Sequence, residues 1–405
     1  MMMIILAWKN IWRNKKRSLI IFGATAIGLS AGLFTVGMMT GMYDSMISSG
    51  INREVGDLQI HTRAYVRDRL ITQSLSAPDS LLRTIQSQAG VRSAAAHTMI
   101  EGMASSTTTA SGIMILGIDP IDEKEISSVA ASVVEGTYFG KPNGILIGKK
   151  LADKLKLKLR SRIVLSFAGS DGNIVYGGFR VAGIFRTEST QFDGMNVFVN
   201  RNELSELIGA VAPIHQIVIR TRSSSLVDSV QAVLRTTVDS SVIVETWKEI
   251  APELKLTADS SDIVNAVFLG IILFALLFGL TNTLLMSVLD RTRDFGVLLA
   301  IGMYRRRLFS MIVLESLLLS FSGGIVGVVF GWIVTGYFNV QGIDLSAVST
   351  GLSAYGIPTM LYPVVKSSTY IVLAVMMTAT SIIAALYPAI RAVRLKPVQA
   401  IRSIT

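Results

Sequence analysis

The chain has 405 residues, of which 50% are hydrophobic and only 16% are charged. With a mean hydropathy of +0.53, this composition excludes an ordinary soluble protein, so we interpret the net charge of +10 as membrane topology rather than nucleic-acid binding. The absence of cysteine excludes disulfides, thiolate metal sites, a cysteine nucleophile and a lipid-anchored N-terminus.

The first predicted element is an amphipathic helix over residues 1–17. Its apolar and basic residues fall on different sides of a helix, which is typical of a segment lying on the cytoplasmic face of a membrane. A simple charged flank is the alternative. The residues that carry this pattern are Ile4, Ile5, Trp8, Ile11 and Trp12 on one side and Lys9, Arg13 and Lys16 on the other.

Four apolar runs follow, each near or above the roughly 20 residues that a membrane span needs. The first is too long for the apolar region of a cleaved signal peptide, so we expect it to remain as a signal anchor. The runs predict transmembrane helices over 18–42, 263–289, 308–338 and 370–390.

Lysines and arginines indicate the orientation of these spans. They concentrate before the first span, in the 290–307 loop and in the tail over 391–405, whereas the 339–369 loop contains only Lys366. The positive-inside rule therefore predicts cytoplasmic termini and a cytoplasmic 290–307 loop. The long segment over 43–262 is then an extracytoplasmic domain.

Segment 43–262 has the pattern of a mixed α and β domain in two subdomains, with the middle one inserted into the first. A Gly-containing turn over 170–173 predicts a hairpin. Predicted strands are 57–61, 112–117, 162–167, 180–185, 196–199 and 216–220, and predicted helices are 80–88, 149–157, 201–208 and 225–236.

No catalytic set is evident in this segment. His61, His97 and His215 are far apart in sequence and stand near strand-like residues, which favours packed or surface histidines over a metal triad. The acidic run over 119–125 is interpreted as a solvated loop and helix start. Residues 144–150 resemble a phosphate-binding loop but have three residues between the glycines instead of four, and we expect no nucleotide to bind there.

Several stretches together resemble the FtsX-like permease family, also called the MacB-type or type VII ABC transporter superfamily. The most specific is Gly279–Arg305, followed by Glu315 in the next span, although Asp290 and Asp294 stand where glutamates are usual. The other stretches are 7–15, 145–157 and 387–402, and all occur in the family's order.

The resemblance implies an α-helical membrane protein with four transmembrane helices and a large α+β extracytoplasmic domain between the first two. It implies a non-catalytic permease subunit of the inner membrane that pairs with itself or a close paralogue. Two cytoplasmic ATPase subunits would bind ATP and magnesium, and this chain would bind no cofactor. The spans would then transmit ATP-driven motion to the domain outside.

Within the family, the chain is most similar to the lipoprotein-releasing branch, LolC and LolE. That implies a lipoprotein substrate extracted from the membrane, with a periplasmic carrier as a further partner. MacB-like export of peptides or small molecules, FtsX-like activation of a periplasmic partner, and a membrane sensor without an ATPase are the alternatives.

The 290–307 loop is the predicted ATPase-docking segment. We expect a short amphipathic coupling helix whose apolar side chains enter a groove of the ATPase and whose charged side chains form a polar rim. A membrane-surface turn is the alternative. The predicted docking residues are Asp290, Arg291, Arg293, Asp294, Phe295, Gly296, Leu298, Leu299 and Gly302, with Ile301 as a further apolar contact.

A substrate chamber is expected at the outer ends of the first two spans, where methionines suit acyl chains. Ordinary helix packing explains the same residues equally well. Glu315 is expected to pair with an arginine near the loop, and Gly323, Gly327 and Gly331 to permit close helix approach, with Gly28, Gly32 and Gly37 as further candidates. The chamber candidates are Val36, Met38, Met39, Met42, Met46, Ile263, Val264, Val267 and Phe268.

Overall fold

The computed structural model of the chain describes residues 15–394 except 141, 210 and 240. Almost all of the predicted amphipathic helix over 1–17, and most of the tail over 391–405, lie outside these residues. The α-helices are α1 (Lys15–Gly50), α2 (Arg63–Asp68), α3 (Pro78–Gln86), α4 (Pro120–Ile126), α5 (Lys149–Leu155), α6 (Thr190–Met195), α7 (Arg201–Ile208), α8 (Val227–Thr237), α9 (Trp247–Ile250), α10 (Pro252–Asp290), α11 (Thr292–Ala300), α12 (Arg305–Gln341), α13 (Ser349–Ala354) and α14 (Ser367–Val393).

Helices α1, α10, α12 and α14 are long and apolar enough to cross a membrane. Two of them extend well beyond the predicted apolar runs: α1 continues to Gly50 and then into a π-helical turn over Ile51–Val55, and α10 begins at Pro252. Backbone hydrogen bonding continues a helix into polar sequence outside the hydrocarbon, so hydropathy alone does not mark its ends. Together with α11, these helices make up most of one compact unit.

The glycines of α12 lie against α1, as their spacing predicts. A Cβ atom at Gly323 would lie 2.8 Å from the carbonyl oxygen of Phe22, and one at Gly327 would lie 2.6 Å from that of Ala26. A Cβ at Gly331 would be 3.0 Å from Leu33 Cδ1. Backbones this close leave no room for a side chain, so glycine is required along this seam.

The second unit comprises residues 44–259 together with 344–359. Residues 344–359 come from the connection between α12 and α14. Within this unit, Thr190 Oγ1 of α6 donates a hydrogen bond to the carbonyl oxygen of Ser353 in that connection at 3.3 Å. The strands of the second unit are β1 (Leu58–Thr62), β2 (Val91–Ser105), β3 (Ala110–Ile118), β4 (Val133–Gly136), β5 (Gly144–Gly148), β6 (Arg162–Ala168), β7 (Ile174–Phe185), β8 (Asn196–Asn200), β9 (Gln216–Thr221) and β10 (Val242–Thr246). Two further strands of two residues each, β11 (Ile343–Asp344) and β12 (Met360–Leu361), flank residues 345–359.

Strands β1 to β10 form one sheet in the order β10-β1-β9-β2-β3-β8-β5-β7-β4, with β6 pairing β2 and β7, and β11 pairs with β12 in a separate sheet. The first half of β2 pairs with β9, and its second half pairs with β3 and β6. One long strand therefore joins two cores: one packs β1, β9 and β10 against α3 and α8, and the other packs β3 and β5–β8 against α5 and α7. This arrangement agrees with the predicted insertion of one subdomain into another.

The six predicted strands and four predicted helices are all present, with ends that differ by a few residues. The hairpin also forms, because Asp171 Oδ1 accepts the Asn173 N–H at 3.0 Å and Gly172 adopts φ +82° between β6 and β7. The sequence pattern did not indicate β2, β4 or β10, and β5 was indicated only by the family resemblance of residues 145–157.

Candidate functional site

Helix α11 lies between the ends of α10 and α12 and occupies the middle of the predicted docking segment. The helical conformation is interrupted at Arg291, where φ is −104° and ψ is 15°, and α11 begins at Thr292. It ends where the Gly302 N–H donates to Leu299 O at 3.1 Å and the Met303 N–H to Leu298 O at 3.0 Å. Gly302 has φ +99°, a conformation that glycine adopts without strain.

The inner face of α11 belongs to the core of the permease itself. Phe295 is buried in a cluster of residues from α10, α12 and α14, and Leu298 and Leu299 pack partly buried against it. Phe295 was predicted to contact an ATPase, whereas its ring is enclosed here by residues of its own chain. Gly296 is buried as well. The cluster consists of Val288, Phe295, Leu308, Met311, Ile312, Ala389 and Ala392.

Arg291 also points inward, although the sequence suggested a polar rim. Its Nη1 donates to both carboxylate oxygens of Glu315, at 2.9 and 3.1 Å, and the two side chains are only 7% and 12% exposed. The guanidinium carbon lies 5.4 Å from the centroid of the Phe295 ring. The expected pairing of Glu315 with an arginine is therefore confirmed. This contact joins the start of α11 to the first third of α12.

The outward face of α11 carries a different set of side chains. Arg293 and Asp294 are exposed, as is Asp290 just before the helix. Val297 on α11, and Ile301 and Tyr304 in the turn that follows it, are exposed large apolar residues. Exposed apolar side chains beside charged ones are typical of a protein-binding surface. We call Arg293, Asp294, Val297, Ile301 and Tyr304 the outward face of α11.

The predicted chamber residues divide into two groups. On α10, Ile263, Val267 and Phe268 are exposed, and Val264 is partly buried. On α1, Val36 is buried and so does not line an open surface, and the four methionines are partly buried: Met38, Met39, Met42 and Met46. At this level Asn265 Nδ2 donates to Thr40 Oγ1 at 3.0 Å, which joins α10 to α1. Further along α1, Gly28 and Gly32 approach Leu276 and Ile272 of α10.

In the second unit, polar contacts fix the continuation of α1 to the sheet. Arg220 of β9 donates to the side-chain oxygen of Asn52, and its Nη1 lies 3.4 Å from Asp57 Oδ1. Asp57 Oδ2 also accepts from the backbone N–H and the hydroxyl of Thr221, at 2.8 and 3.0 Å. A displacement of the π-helical turn would therefore be passed directly to β9.

The three histidines each have their own partners. His97 Nε2 lies 2.6 Å from Glu123 Oε2, and His61 Nε2 lies 2.8 Å from Glu245 Oε2. Burial lowers the pKa of His215, whose Nδ1 accepts the Met99 N–H and whose Nε2 bonds to Ile71 O. Within the described ranges, no group of three His, Asp or Glu side chains is placed to hold a metal ion.

The segment that resembles a phosphate loop forms β5 and the start of α5. A Cβ at Gly148 would lie 2.1 Å from the carbonyl oxygen of Asp193, so the protein backbone fills the space that a phosphate would need. Lys149 pairs with Glu135 at 3.1 Å and with Asp153 at 3.5 Å. These contacts explain Lys149 and Gly148 structurally.

Four membrane helices in a one-plus-three order, with an α/β domain between the first and second, define a polytopic permease with a large domain on one side of the membrane. Residues 18–237 match the family described as the MacB-like periplasmic core domain, and residues 266–397 match the FtsX-like permease C-terminal family. The chain belongs to this family and is an ABC transporter permease of the MacB and LolC type.

Two curated relatives illustrate the range of the family. The lipoprotein-releasing system transmembrane protein LolC of Xylella fastidiosa is 22% identical over 303 residues, which is 71% of this chain and 72% of the relative. The macrolide export ATP-binding/permease protein MacB of Chlorobium luteolum is 31% identical over 124 residues, which is 31% of this chain and only 16% of that protein.

Solved extracytoplasmic domains are also similar. The periplasmic region of MacB from Actinobacillus actinomycetemcomitans aligns with 52% of this chain and 97% of its own length, at 12% identity and a TM-score of 0.36. The extracellular domain of the transporter YknZ from Gram-positive bacteria covers 47% of this chain and 99% of its own length, at 15% identity and a TM-score of 0.34.

Proposed function

We propose that this chain is the permease subunit of an inner-membrane ABC transporter that releases lipoproteins from the membrane. Two copies, or this chain and a close paralogue, would bind two cytoplasmic ATPases that hold ATP and magnesium, and the permease itself would have no catalytic role and no cofactor. Both termini and α11 would be cytoplasmic, as the distribution of basic residues indicates.

The similarity to LolC over about seven-tenths of both proteins supports the lipoprotein substrate. The match to MacB covers a much smaller part of either chain, but it keeps MacB-like export as the second candidate. FtsX-like activation of a periplasmic partner would use the same transmission from α1 to β9. Affinity purification in mild detergent separates these candidates, because lipoprotein release predicts an acylated protein among the co-purifying species.

The outward face of α11 carries the proposal for ATPase docking. We expect Val297→Asp and Ile301→Asp each to abolish co-purification of the ATPase from the cell's own membranes, because truncating a central apolar contact typically costs about 2 kcal/mol or more. Leu298→Asp, by contrast, places a charge against the core of the permease, and we expect it to impair folding first.

The matched control is Ile121→Asp in the extracytoplasmic domain. Ile301 and Ile121 are both 79% exposed, so the two substitutions cost the isolated permease equally little. Membrane insertion should be normal in both. ATPase recovery at the level of the control in both α11 variants would eliminate this face as the docking site.

A further inference from the structure

A groove of about 440 Å³ is lined by residues of α12 and α14, whereas the substrate chamber is predicted on α1 and α10. Its walls are mainly leucine, valine, isoleucine and phenylalanine side chains, such as Phe321, Ile325 and Val329. Of its hydroxyl groups, Thr378 Oγ1 bonds to Ala374 O and Ser381 Oγ to Ser316 O, whereas Ser320 Oγ has no partner among the described residues. A polar ligand would therefore find little to bind.

The groove lies beside the close contact of α12 with α14 at Gly324 and Met377, where the neighbouring residues of α14 are small. A Cβ at Gly324 would lie 2.5 Å from Met377 Sδ, so the helices are in close contact there. Ala374 and Thr378, one turn apart on α14, also line the groove and are exposed. Neither side chain is large enough to fill the space.

The groove extends along the middle of α12 and the first half of α14. The connection between these two helices joins the domain unit, so the first residues of α14 mark the outer end of the groove. The lining residues are 317–329 and 370–381, which span about 16–18 Å at 1.5 Å per residue. That length is close to half of the ~30 Å hydrocarbon core.

We infer that this groove binds one acyl chain of a membrane phospholipid. Its open side is continuous with exposed apolar side chains on both helices, including Phe330 on α12 and Ile371 on α14, which face hydrocarbon in a membrane span. A cavity of 150 Å³ holds one benzene, so about 440 Å³ accommodates on the order of 18 carbon atoms, which is the size of a single acyl chain.

The chemistry at the outer end of the groove also suits a phospholipid. Tyr370 lines this end, where aromatic residues commonly lie at headgroup level. Lys366 lies one turn before it and donates to Asp262 at 2.7 Å, which leaves ammonium protons for a lipid phosphate. A neighbouring helix, about 10 Å or more in diameter, is too wide to enter the groove.

The test uses the full chain in lipid nanodiscs that contain phosphatidylethanolamine with a photoactivatable group in the middle of one acyl chain. We expect the label to be enriched on 317–329 and 370–381 relative to the equally exposed apolar face of α10 around Phe274. Ala374→Trp and Thr378→Phe each fill the groove and should reduce this enrichment to the α10 level. Val375→Trp, on a neighbouring exposed position outside the groove, should leave it unchanged.

Two results would overturn the inference. Labelling of the groove equal to that of α10, and unaffected by Ala374→Trp and Thr378→Phe, would show ordinary lipid contact without a binding site. Labelling below the α10 level, with Ala374→Cys forming a crosslink to a second polypeptide, would show that a protein occupies the groove. Because the natural chain has no cysteine, that crosslink would report on this position alone. Neither result depends on the transported substrate.

Discussion

Replacing Glu315 by alanine is expected to destabilise the membrane unit by about 3–5 kcal/mol, because it leaves a buried arginine without its counter-charge. Arg291 is 7% exposed and is enclosed by the cluster around Phe295, so its guanidinium cannot reach water without moving the start of α11. The substitution therefore should also release α11 from α12. The free energy of unfolding, measured by denaturant titration in detergent micelles, tests the first effect.

Two comparisons make this prediction specific to the buried pair. Lys366→Ala removes an ion pair whose side chains are 45% and 73% exposed, and such pairs contribute about 0–1 kcal/mol. The double substitution Arg291→Met with Glu315→Leu removes both charges together and should recover most of the lost stability, since apolar replacements of buried pairs are often neutral. Equal losses in Glu315→Ala and Lys366→Ala would contradict the assignment.

The same pair has a consequence for coupling. If α11 is the docking helix, its position relative to α12 determines whether force from the ATPase reaches the spans. Glu315→Ala should then weaken ATP-dependent activity of the assembled transporter even at temperatures where the permease remains folded. The double variant separates the two effects, because it restores apolar packing but not the directional bond between Arg291 and Glu315. Its stability should therefore recover, whereas its ATP-dependent activity should remain weakened.

The sequence predicted the architecture well where one kind of residue dominates a segment. Long apolar runs, interrupted only by Glu315 in the third, identified the four spans, and Gln216–Thr221, a buried strand of β-forming residues, was also found. The strand over Val91–Ser105 was missed because it is rich in alanine, a poor strand former. Its pairing with β9, β3 and β6 outweighs that weak local preference, and such distant partners are not visible in a local pattern.

In the docking segment, the sequence pattern did not predict which face of the helix is buried. Apolar residues occur on both faces of α11, with Phe295 and Leu298 inward and Val297 and Ile301 outward. Periodicity therefore identified a helix but not the face that the bundle covers. Arg291 was placed on a polar rim because charged residues usually face water, and only the position of Glu315 on the next helix explains why it turns inward.

Replacing Gly327 by alanine is expected to separate α12 from α1. The new methyl group would lie 2.6 Å from Ala26 O and 2.9 Å from Ala26 Cα, and a backbone cannot move aside as a flexible side chain can. Overpacking of this kind typically costs about 1–3 kcal/mol, and Gly327→Leu should exceed that range. The thermal unfolding temperature of the purified permease in detergent measures the loss.

Gly336→Ala is the matched control, because it lies on the same helix and a Cβ there has no atom within 4 Å. Alanine favours helix over glycine by up to about 1 kcal/mol, so this variant should be neutral or slightly more stable. An unfolding temperature that falls equally in both variants would mean that α12 requires glycine along its whole length and not specifically at the contact with α1. A fall confined to Gly327→Ala would locate the requirement at the α1 contact, which joins α12 to the helix that continues into the extracytoplasmic domain.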